Sequence, residues 1–89
     1  MAKYLYHRTD ANAEAILTAM EQAGASVYRG GPLDAIVAKG GDTYLIEIKT
    51  AKGKLRPSQK AFIARWRGQV FVIRTVEEGL KVIGRIGRA

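Results

Sequence analysis

Three residues able to do chemistry together, Asp34, Glu47 and Lys49, flank the segment Lys39-Gly40-Gly41-Asp42. A Gly-Gly pair tolerates the positive φ angles of a two-residue hairpin turn. A turn centred on Gly40 and Gly41 sets Val37 opposite Tyr44, Ala35 opposite Ile46 and Asp34 opposite Glu47. A four-residue loop keeps this register, whereas an odd-numbered loop breaks it. Opposed residues share a sheet face, and the strand period of two places Lys49 on that face as well. Two carboxylates side by side repel, the more so against a half-apolar sheet, so a cation is expected between them. Lys49 can supply that charge alone. Two adjacent carboxylates completed by carbonyl and water oxygens are equally what a hard divalent cation such as Mg²⁺ or Mn²⁺ selects.

The elements that must position these residues are legible around the hairpin. Asp10 and Asn12 are candidate N-caps of a helix with Ala13, Ile16, Leu17, Met20 and Ala23 on one stripe, which Gly24 can end. Residues 1–8 fit a short strand or an arm. Residues 26–29 read as a strand, Gly30-Gly31-Pro32 breaks the chain, and residues 34–38 and 43–50 are the two hairpin strands. The linker AKGKLR leads to Pro57, suited to the first position of a second helix whose stripe is Gln59, Phe62, Ile63 and Trp66, with Gly68 placed to close it. Gln59 on that stripe aims its amide inward, toward the carboxylate and lysine cluster, or else bonds to free backbone groups of its own first turn. Residues 69–74 form a continuous apolar run, the pattern of a strand buried on both faces. Thr75 and Glu78 have the spacing of a capping box for a last helix carrying Leu80, Val82, Ile83 and Ile86. The expected fold is α/β, a mixed central sheet of an antiparallel hairpin plus a further strand flanked by helices, in the order α-β-β-β-α-β-α.

Composition narrows the chemistry. Eighty-nine residues make a single domain with a thin core, and 47% hydrophobic with 26% charged residues argues against disorder. There is no cysteine and one histidine, His7, so disulfides, thiolate sites and an imidazole zinc site are excluded and any metal must be held by oxygen. The N-terminal MAKYLYHR lacks a signal-peptide apolar core and no apolar run is long enough to span a membrane, so a cytoplasmic protein is expected. Fifteen Lys and Arg against eight Asp and Glu give a net charge of +7. From Lys49 to Val76 there is no acid, while Lys49, Lys52, Lys54, Arg56, Lys60, Arg65, Arg67 and Arg74 fall there. That is the footprint of a polyanion-binding surface, with nucleic acid the favoured partner.

The succession of a helix, GGPLD, a hairpin, EIK, a basic linker, LRPSQ and a strand resembles the PD-(D/E)xK nuclease superfamily, most closely the small stand-alone VRR-NUC type of bacteria and phages, over residues 9–84. The family pattern of Asp, then Glu-x-Lys, then Gln falls on Asp34, Glu47, Lys49 and Gln59. Leu33 separates Pro32 from Asp34 where the family has the two adjacent, and Glu14 stands for the glutamate that the family carries on its first helix, with Glu21 a heptad further along. The resemblance implies a restriction-endonuclease-like fold and a Mg²⁺- or Mn²⁺-dependent endonuclease acting on branched DNA such as Holliday junctions, in a bacterial or phage-infected cell. It also implies metal ligation by Asp34, Glu47 and the Ile48 backbone carbonyl, catalytic roles for Lys49, Gln59 and Glu14, phosphate contacts from Lys52, Lys54, Arg56 and Lys60, and a homodimer able to make two opposed cuts. A noncatalytic nucleic-acid-binding module using the same basic face is the alternative; a restriction-type nuclease would need base-reading elements for which the chain leaves little room.

Overall fold

The computed structural model describes residues 7–86, and side chains from residue 12 to residue 84. Gly40 and Gly41 adopt φ angles of 63° and 90°, a region that side chains disfavour and a tight hairpin turn requires. They join β2 (Ala35–Lys39) to β3 (Asp42–Ile48) with Val37 opposite Tyr44 and Ala35 opposite Ile46, the expected register. β1 (Ser26–Arg29) pairs antiparallel with β2, and β4 (Val70–Ile73) pairs parallel with β3. The mixed sheet therefore has the order β1-β2-β3-β4. Three helices flank it: α1 (His7–Gln22) before β1, α2 (Pro57–Arg65) between β3 and β4, and α3 (Val76–Ile86) after β4. Among the described residues no helix is long and apolar enough to cross a membrane.

The two faces of the sheet are unequal. One carries Ala35, Val37, Tyr44, Ile46, Ile48 and Ile73, buried against Ile16, Leu17 and Met20 of α1 and Val82 and Ile83 of α3. The two helices meet closely at Gly79, where a Cβ would stand 3.1 Å from Ile16 Cγ2 and 3.2 Å from Met20 Sδ. The strand alternation sends Leu45 and Glu47 to the opposite face, where α2 is the cover and has no buried residue of its own.

Several local expectations change for identifiable reasons. α1 begins at His7, so Asp10 and Asn12 lie inside it rather than at its cap, and the arm or strand suggested for residues 1–8 falls outside the described residues except where α1 occupies it. α1 does end at Gly24, whose φ of 105° allows Gly24 N–H to bond Glu21 O at 2.9 Å and Ala25 N–H to bond Met20 O at 3.0 Å. β4 is an edge strand rather than one buried on both faces: Val72 is 36% exposed because α2 does not reach across it. α2 stops at Arg65 with Trp66 as its extended C-cap, and Gly68 does not end it through a positive φ. At α3, Glu78 N–H donates to Thr75 Oγ1, but the Glu78 carboxylate reaches back one residue further, to Arg74 N–H. Leu80 of that helix stays largely exposed.

The inequality of the faces has a measurable consequence. Ile46→Ala, on the closed face, should cost about 2–5 kcal/mol in denaturant unfolding. Val72→Ala, on the open face, should cost about 1 kcal/mol or less. Equal losses would mean that β4 is packed on both sides.

Candidate functional site

The site sits where β2 begins and β3 runs on past it. β2 begins at Ala35 opposite Ile46, so Ile48 has no strand partner on that side of the ladder. Its N–H donates instead to Asp34 Oδ2 at 2.7 Å. The next residue, Lys49, gives its N–H to Ile73 O of β4. Backbone direction alternates along a strand, so the Ile48 carbonyl, like its N–H, is turned to the β2 side, toward Asp34. The Asp34 carboxylate is thereby anchored on the backbone beside Glu47, at the rim rather than inside the sheet.

Glu47 is the one buried charged residue among the described residues, with 3% exposure. Its Oε2 accepts Gln59 Nε2–H at 2.7 Å and pairs with Lys49 Nζ at 3.1 Å. Burial pushes the Glu47 carboxyl above the ordinary carboxylate range, the neighbouring Asp34 charge pushes it further, and Lys49 and Gln59 oppose both. The alternatives for Gln59 are both realised. While Nε2 serves Glu47, Oε1 accepts the Arg56 N–H at 2.9 Å at the start of α2. One amide therefore ties the second helix to the buried carboxylate and fixes its own orientation, since oxygen and nitrogen each have a single suitable partner.

A cleft of about 410 Å³ opens at this point, lined by Pro32, Leu33, Asp34, Glu47, Arg56, Ser58, Gln59 and Phe62. Asp34, Glu47, Lys49 and Gln59 are thus brought together, and Arg56 faces the same space. Lys52, Lys54 and Lys60 are exposed, and among the described residues no ion pair engages them or Arg56. Glu14 is placed elsewhere: its carboxylate holds Arg29 Nε at 2.7 Å, while Glu21 holds the other end of the guanidinium at 2.9 and 3.1 Å. Glu14 does not line the cleft. The heptad between Glu14 and Glu21 signals one helix face, but only β1 lying beside α1 shows that a single arginine answers both.

Two features escape sequence reasoning. Arg74 belongs to the cationic run, yet its Nη1 donates to Thr50 O and Gly53 O, each at 2.7 Å, so it ties down the turn that follows Lys49. That turn is closed by Gly53 N–H to Thr50 O. The apolar cleft wall of Pro32, Leu33 and Phe62 comes from segments that only the fold brings together.

The donor set suits a hard divalent cation. Two carboxylates and, by strand alternation, a peptide carbonyl lie at the strand end, and with both carboxylates ionised Asp34, Glu47 and Lys49 carry a formal charge of one minus. Among the described residues there is no group of three acidic or imidazole ligands, a set that Mg²⁺ does not require because it retains several waters.

A carboxylate whose pKa is raised by folding costs nothing below its unfolded-state pKa, and that cost grows as pH rises through the folded-state value. In EDTA, Glu47→Gln, which removes the charge and keeps an acceptor for Gln59, should therefore gain Tm relative to the unsubstituted chain as pH is raised from below the carboxylate range to neutrality. A pH-independent difference would contradict the burial argument. No protein-family model, curated protein or solved structure matches the chain, so what the site does has to be argued from its own geometry.

Proposed function

We propose that the protein is a divalent-cation-dependent endonuclease that hydrolyses phosphodiester bonds in branched DNA on a restriction-endonuclease-like fold. The observation that carries this reading is the gathering of two carboxylates, one peptide carbonyl and one ammonium at a strand end, at the mouth of a cleft bordered by Arg56. A nuclease needs such a mixture: oxygen donors for a cation, a proton-donating group beside them, and positive charge to receive the polyanion.

Asp34, Glu47 and the Ile48 carbonyl would hold Mg²⁺ or Mn²⁺, which when bound supplies a lowered water pKa and neutralises charge growing on the scissile phosphate. Lys49 Nζ, 15% exposed and within 3.1 Å of Glu47, is placed to orient the attacking water or to donate to the phosphate oxygen on which charge develops. Gln59 holds Glu47 in one rotamer and couples that hold to the start of α2. Arg56 and the exposed Lys52, Lys54 and Lys60 grip phosphates, a role that positions a strand without reading its sequence. The preference for branched DNA and the two-fold dimer that paired cuts demand rest on the resemblance to VRR-NUC nucleases. Glu14 has no part in this scheme while Arg29 holds it.

A second reading has an observation in its favour. Gln59 and Lys49 already satisfy Glu47 without any ion, as a noncatalytic nucleic-acid-binding module would require. Incubation with linear duplex, flap and four-way junction DNA in Mg²⁺, Mn²⁺ or EDTA separates the two. The nuclease reading expects metal-dependent cutting, abolished by Asp34→Asn or Glu47→Gln with DNA binding kept or tightened. It expects Lys49→Met to bind DNA but to cut about 10²–10⁴-fold more slowly. Metal-independent binding without cleavage would establish the binding module, and full activity of either carboxylate variant would end the site assignment.

A further inference from the structure

Trp66 is the single tryptophan of the chain and 43% of it is exposed. It stands at the C-cap of α2, where its N–H bonds to Phe62 O and Ile63 O, and its indole stacks on Phe62 with ring centroids 5.3 Å apart and planes 25° from parallel. Phe62 in turn lines the cleft that holds Asp34 and Glu47. One aromatic face therefore leads out of the cleft onto a second that remains open.

A Cβ on Gly68 would stand 2.7 Å from Trp66 Nε1, and Gly68 has no positive φ that would itself call for glycine, so the glycine leaves the indole the space it occupies. A large apolar ring that is half exposed contributes little to the core, since α2 buries none of its residues. The segment that carries it is cationic: Arg56, Lys60, Arg65 and Arg67 are exposed and, among the described residues, have no ion-pair partner. An exposed, stacked aromatic ring on a cationic segment is the arrangement that takes unpaired nucleotides, with bases stacked on the ring and phosphates on the cations.

We infer that Trp66, backed by Phe62, is a stacking platform for an unpaired base of a nucleic acid strand entering the cleft. Seven residues separate Trp66 from Gln59, which touches Glu47; at 1.5 Å per residue this is about 10 Å along the helix, roughly three stacked nucleotides at 3.4 Å each. The inference deepens the nuclease reading, on which it rests for the fate of the strand, by naming unpaired nucleotides next to the cut as what the site receives.

Because Trp66 is the only tryptophan, its fluorescence reports the contact directly. In EDTA, where no cutting is expected, an oligo(dT) of about 16 nucleotides should quench the emission, and an abasic deoxyribose-phosphate strand of equal length should not. Oligo(rU) in a parallel titration distinguishes RNA from DNA as the source of the base. By fluorescence anisotropy with labelled strands, Trp66→Ala should weaken oligo(dT) binding by about 5- to 150-fold and leave the abasic strand unaffected, whereas Trp66→Phe should keep most of the affinity. Equal quenching by the abasic strand, or unchanged oligo(dT) binding by Trp66→Ala, would overturn the inference. So would an emission shift produced by protein concentration alone, which would show a second copy covering the indole. Quenching by oligo(dT) in a protein that cuts no DNA in Mg²⁺ or Mn²⁺ would remove the nuclease reading and leave the platform standing.

Discussion

The repulsion between Asp34 and Glu47 is the constraint around which this structure is arranged. The hairpin register brings Asp34, just ahead of β2, beside the end of β3 that carries Glu47, and the positive φ angles of Gly40 and Gly41 hold that register. A slip of one residue would turn Glu47 into the face occupied by Tyr44 and Ile46, against α1 and α3. Around the acids each neighbour lowers the cost of keeping them. The Ile48 N–H takes Asp34, Gln59 takes Glu47 from above the sheet, and Lys49 brings a cation to Glu47. A negative charge is still left over, beside a carbonyl with no strand to receive it.

The packed core and the candidate site lie on opposite sides of the sheet. The face covered by α1 and α3 holds the buried aliphatic residues, and the tight helix approach at Gly79 closes it. The face under α2 buries Leu45 and Glu47 but leaves Val72 open. α2 is joined to the sheet at the site chiefly by a polar contact, Gln59 to Glu47, rather than by a packed stripe. Such a cover buries Glu47 yet leaves the cleft beside it open to a ligand. Arg74 serves the same side by pinning the turn between Lys49 and the basic linker, so that the chain leaves the strand in a set direction.

The parts governed by local rules were legible in the sequence. Glycine at a two-residue turn gave the hairpin register and with it the meeting of Asp34 and Glu47, and the Gly24 end of α1 follows from the same left-handed freedom. The start of α1 differs from the expectation because Asp10 and Asn12 are good caps, but propensity at a cap does not prevent a helix from continuing through it. The apolar run of residues 69–74 suggests burial on both faces because its pattern cannot reveal whether a helix lies over the second face of β4. Long-range partners were beyond reach: nothing near Glu14 in sequence points to Arg29, and Arg74 looked like one more surface cation although two backbone carbonyls hold it. For Gln59 the two candidate partners looked exclusive, and the geometry lets one amide serve both.

The central claim is that the leftover negative charge at Asp34 and Glu47 is answered by a divalent cation held on oxygen. Electron paramagnetic resonance of free Mn²⁺ titrated with the protein at neutral pH, without DNA, tests it most directly, because bound Mn²⁺ is lost from the free-ion signal. The account predicts one Mn²⁺ site per chain, displaced by excess Mg²⁺ and lost in Asp34→Asn, with far-ultraviolet circular dichroism of the variant unchanged. Absence of Mn²⁺ binding, or binding of equal strength by Asp34→Asn, would contradict it and leave Lys49 as the sole counter-charge of the pair.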